Sequence, residues 1–291
     1  MATNGHTEPS QAPVAYITGG ASGMGLSVVE DLVRKGWNVT IADMNEEAGQ
    51  KIAERLGQQV VFIKIDVTDY DQQAKAFVET WSKWHRLDFV FANAVMPSFN
   101  LGIGDRIDFY APAEERDDGA PAKPNTLVID ICLLGVVYSA YLALHYFRKN
   151  ESKAGKFVST SSMCGLYPGE GIPLYTAAKH GVVGITRALS KKLAMRKEPI
   201  TVNCLCPGLV DTGLTPVLMA VAPPEYVTPH STIVKAVTSF LDDDSKNGLA
   251  AECSGENIHY RVQQEFGDDK AAWIMGSHFE ELFRQKYGKT A

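Results

Sequence analysis

The sequence predicts an α/β protein, a doubly wound and mainly parallel sheet of about seven strands with helices on both faces. Three observations predict it. The segment Val14 to Thr18 is short, apolar and β-branched, and it runs straight into a glycine-rich turn. Beyond that turn Leu26, Val29, Leu32 and Val33 recur at helical spacing. Strand-like and helix-like stretches then continue to alternate with short links, the pattern of a parallel sheet whose crossovers are right-handed.

In chain order, Trp37 to Ala42 (WNVTIA) reads as the second strand, and a helix at Glu46 to Leu56 precedes a third strand at Val60 to Ile65. An amphipathic helix around Gln72 to Trp84 leads to a strand at Asp88 to Ala92. Between Pro97 and Pro124 the pattern breaks into Pro, Gly and the charged run Glu114 to Asp118, so an insertion loop is expected at about 97–124. Regularity returns with an apolar helix from Thr126 to Phe147, a strand at Lys156 to Thr160, a helix from Tyr175 to Met195 and a strand at Thr201 to Leu205. The Pro-rich, apolar stretch Gly213 to Pro229 lacks clean periodicity and reads as the core of a mobile lid at about 213–240. Two helical stretches and a short strand near Asn257 to Val262 complete the chain. No repeat or linker divides it, and one domain over 13–291 is expected after a polar tail at 1–12.

Of the 291 residues, 45% are hydrophobic and 21% charged, which is ordinary for a globular protein. A formal charge of −6 argues against binding nucleic acid or anionic membranes. No apolar run is expected to reach the length that spans a bilayer. Met1 to Ala12 resembles neither a secretory signal nor a transit peptide, so a cytoplasmic location is the default. The five cysteines, Cys132, Cys164, Cys204, Cys206 and Cys253, are too scattered for a disulfide framework. Cys204 and Cys206 are expected on opposite faces of a strand, which disfavours a shared metal; no metal site is expected and the thiols read as reduced and structural.

The turn Thr18-Gly19-Gly20-Ala21-Ser22-Gly23-Met24-Gly25 has a strand before it and a helix after it. That is the setting in which glycines let a backbone approach a pyrophosphate while helix N–H groups face its charge. Asp43, at the end of the second strand and about 20 residues past the glycines, can accept hydrogen bonds from ribose hydroxyls and would repel a 2′-phosphate. With no Lys or Arg at Ala21, Ser22 or Met44, this points to NAD. Asp66 and Val67, at the end of the third strand, can contact the adenine. Tyr175 and Lys179 lie one helical turn apart on one face. An ammonium beside a phenol favours the phenolate, lowering a pKa of about 10 toward the useful range. Ser162 follows a strand and can steady developing charge on a substrate oxygen. Ser159 and Ser161 stand beside it, and spacing alone leaves the choice among the three open.

Taken together and in this order, these motifs resemble the short-chain dehydrogenase/reductase family. The matching residues are Thr18 to Gly25, Asn93-Ala94, Ser162, Tyr175-x-x-x-Lys179 and Pro207-Gly208-Leu209-Val210-Asp211-Thr212. The stretch from Tyr175 to Arg187 is most similar to the 15-hydroxyprostaglandin dehydrogenase branch. The resemblance implies a Rossmann-type fold and an NAD-dependent oxidoreductase that interconverts secondary alcohols and ketones. It implies Tyr175 as general acid/base, Lys179 lowering its pKa and holding the nicotinamide ribose, and Ser162 orienting the substrate oxygen. Gly19, Ser22, Gly23, Met24, Gly25, Asp43, Asp66, Val67, Asn93, Pro207, Val210 and Thr212 would line the cofactor, with Thr212 at the carboxamide. Two positions depart from the family. Asn93-Ala94-Val95 stands where the family has Asn-Ala-Gly, and Cys132 stands where an asparagine usually holds a proton-relay water, which a thiol holds poorly.

Leu214, Val217, Leu218, Met219, Val221 and Tyr226 in the lid, with Met163, Leu166 and Tyr167, suggest a bulky apolar or aromatic substrate. The helix Thr126 to Phe147, apolar almost all round, suggests with the family's habit a homodimer or homotetramer through it and the Tyr175 helix. Two other readings stand beside the oxidoreductase. One is an NAD(H)-binding protein without redox turnover (a cyclase, isomerase or regulator), suggested by Cys132; the other is an interaction protein without cofactor.

Overall fold

Strand β1 (Val14–Thr18) lies in the middle of the sheet, and all five of its residues are buried. The computed structural model describes residues 10–95, 109–213 and 215–288. The side chains of β1 divide by alternation. Val14 and Tyr16 face one core layer, and Ala15 and Ile17 face the other. Around it run β2 (Asn38–Asp43), β3 (Val60–Lys64), β4 (Phe89–Ala92), β5 (Gly155–Thr160), β6 (Ile200–Pro207), β9 (Ala250–Ser254) and β10 (Asn257–Arg261). The eight strands are ordered β10-β9-β6-β5-β4-β1-β2-β3. All neighbours pair in parallel except β9 with the edge strand β10. The order reverses between β1 and β4, and in such sheets the crevice outside the strand carboxyl ends at that point receives ligands.

The helices are α1 (Gly23–Arg34), α2 (Glu46–Leu56), α3 (Tyr70–Trp84), α4 (Leu127–Phe147), α5 (Pro173–Met195) and α6 (His230–Asp242). On one face Phe77, Val136, Phe147 and Val182 bring α3, α4 and α5 onto the sheet. On the other, Val29, Leu32, Ile52, Ile233 and Phe240 do the same for α1, α2 and α6. The C-terminal residues from Val262 form a second, small compact unit with two helices, α7 (Asp269–Met275) and α8 (Ser277–Tyr287). Asp268 caps the first of them through the Ala271 N–H at 2.8 Å.

Four expectations change. The sheet has eight strands rather than about seven because β9, Ala-Ala-Glu-Cys-Ser, has no β-branched residue to mark it. The segment expected as a lid at 213–240 is not irregular throughout. A pair of two-residue parallel strands, β7 (Leu209–Val210) and β8 (Val227–Thr228), closes the segment, and the residues from His230 on belong to the core helix α6. Cys204 and Cys206 do not point to opposite faces: residues two apart on a strand share a side, and both thiols lie in the α3–α5 layer. Finally, α4 is 21 residues long and apolar enough to cross a membrane, although no uninterrupted apolar run is. Half of its most apolar stretch is buried in the protein, as in a core helix.

A buried polar staple holds α4 where it passes the β3–α3 connection. Gln73, fully buried, donates to the Val67 carbonyl at 2.7 Å and the Gly135 carbonyl at 3.1 Å, and accepts from the Ser139 hydroxyl at 2.7 Å. The preceding residues Asp130–Leu134 form a π-helical turn, which breaks the regular hydrogen-bond ladder just before Gly135. Replacing Gln73 by Leu removes the donor to both carbonyls and the acceptor of the Ser139 hydroxyl inside the core, so urea unfolding should show a loss of about 2–4 kcal/mol. Ser139→Ala should cost roughly 1 kcal/mol.

Candidate active site

The site begins with a threonine. The buried Thr18 hydroxyl accepts the backbone N–H groups of Asn93 at 2.9 Å and Ala94 at 3.1 Å, tying the carboxyl ends of β1 and β4 together. The chain then turns through Gly19 with φ +64°, where a Cβ would stand 2.9 Å from Ala94 Cα. Gly25 is needed for space: a Cβ there would lie 2.1 Å from the Gly19 carbonyl oxygen. Between them α1 starts at Gly23, capped by Ser22 without a side-chain hydrogen bond and with no acidic residue in its first turn. The positive end of the helix dipole and its first N–H groups therefore face the crevice uncompensated.

A cavity of about 430 Å³ occupies that crevice. Gly19, Ser22, Gly23 and Met24 line it at the turn, Asp43 at the end of β2, Asp66 and Val67 after β3, Asn93 after β4, and Thr212 opposite. Asp43 is held in place by accepting from the Ala21 N–H at 3.0 Å and the Asn45 N–H at 2.9 Å, one to each oxygen. Each oxygen keeps a further lone pair. No Lys or Arg is among the described residues lining this cavity. Lys64, opposite Asp43 on β3, is paired with Glu46 at 3.0 Å.

A second, smaller cavity of about 50 Å³ adjoins the first. It is lined by Ser162, Tyr175, Pro207, Val210, Thr160 and Thr215 among others, and Met24, Val95 and Thr212 line both cavities. Ser161 and Ser162 both line it, but Ser161 donates to the Lys179 carbonyl at 2.8 Å. Ser162 accepts from the Cys164 N–H at 3.1 Å and hydrogen-bonds Tyr175. Ser159 is fully buried behind them, 3.5 Å from Thr186.

Lys179 is fully buried, with its ammonium 5.4 Å from the centre of the Tyr175 ring. It donates to the Thr160 carbonyl at 2.8 Å; the Thr160 hydroxyl donates to Asn93 Oδ1 at 2.9 Å, and Asn93 Nδ2 donates to the Gly19 carbonyl at 3.2 Å. This chain of bonds runs from the lysine back to the glycine turn. The expected lowering of the Tyr175 pKa is not the net result. Burial pushes the phenol up, the nearby Cys132 thiol adds to that, and the Ser162 hydrogen bond only partly offsets both. Cys132 itself is fully buried in the π-helical turn of α4, so the thiol is part of the wall behind Tyr175.

Most of the residues singled out in the sequence meet at these two cavities. Gly25 and Lys179 stand behind the lining and support it from within. Sequence reasoning missed Thr18 as the tie between strands, Thr160 as the link from Lys179 to Asn93, and Val95 as one of the residues lining both cavities. Thr18, the first residue of the glycine motif, and Val95, where the family has glycine, were visible as positions; Thr160 carried no such signal. Of the residues expected in a lid, Leu214 lies outside the described residues, while Leu218, Val221 and Tyr226 are exposed. In the described part of the insertion the Tyr110 hydroxyl donates to the Glu170 carbonyl, in the segment between Ser162 and Tyr175, at 2.5 Å.

The sequence profile described as short chain dehydrogenase matches residues 13–220. Among curated proteins, the chain is 32% identical to the short-chain dehydrogenase/reductase prx6 of Penicillium rubens, over 98% of this chain and 97% of that one. It is 32% identical to the short-chain dehydrogenase/reductase ascJ of Acremonium egyptiacum, over 81% of this chain and 76% of that one. It is 29% identical to the NAD(+)-dependent 15-hydroxyprostaglandin dehydrogenase of Mus musculus, over 85% of this chain and 92% of that one. With its parallel sheet, its glycine turn at the switch point and these matches, the chain belongs to the short-chain dehydrogenase/reductase family and is an oxidoreductase acting on CH–OH groups.

Proposed function

We propose that the protein interconverts a secondary alcohol and a ketone with NAD(H), on a bulky apolar or aromatic small molecule. The observation that carries this reading is that Ser162 and Tyr175 line a small cavity sharing Met24, Val95 and Thr212 with the large one. The larger cavity fits a dinucleotide, since the glycine cradle leaves no room for a Cβ at Gly25 and an uncompensated helix end faces it. Asp43 would hold the adenine ribose, Asp66 and Val67 would border the adenine, and Asn93, Pro207, Val210 and Thr212 would flank the nicotinamide end. Bound there, the nicotinamide would accept or supply the hydride.

The chain's own residues would handle the proton. Ser162 orients the substrate oxygen by hydrogen bonding, and Tyr175 donates its phenol proton to that oxygen in reduction or removes it in oxidation. Lys179, fixed by Thr160, keeps a positive charge beside the ring and so favours the phenolate when oxidation requires it. The room beside Tyr175 is about 50 Å³, enough for the reacting carbon and its nearest substituents. The rest of a larger substrate would rest against the lid, whose exposed Leu218, Val221 and Tyr226 suit apolar matter.

The second reading, cofactor binding without redox turnover, draws on Cys132 alone, and the grouping of Ser162, Tyr175 and Lys179 favours turnover. A homodimer or homotetramer through α4 and α5 is supported by Leu134 and Tyr141, which α4 leaves exposed. Light scattering should then return a multiple of the 31.7 kDa chain mass, and a monomer mass at micromolar concentration would sink the assembly.

In fluorescence titrations NADH should bind at least about tenfold tighter than NADPH, because the Asp43 carboxylate repels a 2′-phosphate. Asp43→Ala should narrow or reverse that ratio; an unchanged ratio would remove Asp43 from the role. Tyr175→Phe should lower turnover of a screened secondary alcohol by about 10²–10⁴-fold while NADH affinity is kept. Because burial holds the phenol protonated, oxidation must first remove that proton, whereas reduction uses it as it stands. Oxidation should therefore quicken as pH rises from about 6 to 9 while reduction does not. An oxidation rate independent of pH over that window, in an otherwise active enzyme, would exclude Tyr175 as the base.

A further inference from the structure

We propose that His230 is a positioning residue for cofactor binding, clamping the two walls of the large cavity together; this rests on the dinucleotide reading above. One wall is the first turn of α1, where pyrophosphate would lie. The other is the segment Asp211–Thr212 that leaves β7 and ends over the opposite side of the cavity. The walls meet closely, since a Cβ on Gly23 would stand 3.1 Å from Thr212 Cγ2. His230, the first residue of α6, reaches the Asp211 backbone and the second turn of α1, directly behind the turn that lines the cavity. Its Nδ1 is 2.6 Å from the Ser27 hydroxyl on α1, and its Nε2 is 2.7 Å from the Asp211 carbonyl oxygen.

The chemistry of the partners assigns the hydrogens. A carbonyl oxygen only accepts, so Nε2 carries a hydrogen and donates to Asp211. In the neutral ring Nδ1 then accepts from the Ser27 hydroxyl. In the imidazolium Nδ1 donates to Ser27 instead, and the serine hydroxyl turns to the Gly23 carbonyl, 3.2 Å away. Both protonation states keep the connection, so the clamp does not depend on titration of the ring. Thr215 steadies the same wall by donating to the Val210 carbonyl at 2.8 Å, and the bond to His230 carries that wall across to α1. The effect expected of such a tie is on cofactor affinity, because a dinucleotide must touch both walls at once while a substrate alcohol lies beyond them.

The test compares His230→Ala, His230→Gln and Ser27→Ala with the unmodified chain, reading the NADH dissociation constant by fluorescence and KM against kcat for the cofactor. His230→Ala should raise the dissociation constant and the cofactor KM about tenfold, with kcat and the alcohol KM changed less than about threefold. His230→Gln keeps a donor for Asp211 and should recover most of the loss. The double variant His230→Ala with Ser27→Ala should be no weaker than His230→Ala alone, since the two residues form one connection. Unchanged NADH affinity in His230→Ala, even with a lower melting temperature, overturns the clamp; if that variant does not fold, unchanged affinity in Ser27→Ala does the same. Losses that multiply in the double variant also overturn it. Failure of the unmodified chain to bind NADH at all would overturn the dinucleotide reading itself.

Discussion

The hydroxyl of Thr18 is the point on which the crevice depends. At the carboxyl end of β4 the backbone leaves the sheet, and the N–H groups of Asn93 and Ala94 lose their strand partners. Buried N–H groups must be paired, and one buried hydroxyl accepts both. That bond keeps β1 and β4 level where the strand order reverses, which sets the depth of the crevice. It also brings Ala94 against Gly19 so closely that only glycine suits the turn. The hydrogen-bond chain from Gly19 through Asn93 and Thr160 to Lys179 then carries the same reference frame to the far side of the site.

The chemistry is arranged around this frame by burial as much as by charge. Lys179 is fully enclosed, yet its ammonium has a carbonyl partner and an aromatic face nearby, so the charge is compensated rather than stranded. Tyr175 is enclosed among thiols, and its phenol is held in the protonated form. On the proposed reading, a proton donor kept dry and a cation kept close would be the two halves of an acid/base device whose direction is decided by what binds. The thiol at Cys132 makes this wall more apolar than an amide would, and Val95 lines both cavities together with Met24 and Thr212.

Strands and helices near the glycine turn were legible because their apolar periods are strong and their ends are marked. The helix Glu46–Leu56 falls where its spacing predicts, and β1 matches residue for residue. Other elements were hidden by weak local signals. β9 has small and polar residues whose strand state comes from pairing with β6 and β10. The amphipathic helix α6 was absorbed into an expected lid because Pro223 and Pro224 precede it closely, although its Ile233, Val237 and Phe240 belong to the core. Cys204 and Cys206 share one side because the two-residue period of a strand returns every second residue to the same face.

By itself the sequence determined the fold class and the family, and it singled out the glycine turn with Ser162, Tyr175 and Lys179 as a motif set, because each of these is a local pattern. Tertiary structure alone decided which serine meets the tyrosine and that Lys179 is anchored by Thr160. It alone decided that the Tyr175 phenol is pushed up rather than down, and that His230 joins elements more than two hundred residues apart. The reason is physical. Periodicity and turn chemistry act between near neighbours in the chain, whereas burial, desolvation and cross-strand hydrogen bonds depend on groups that become neighbours only when the sheet closes.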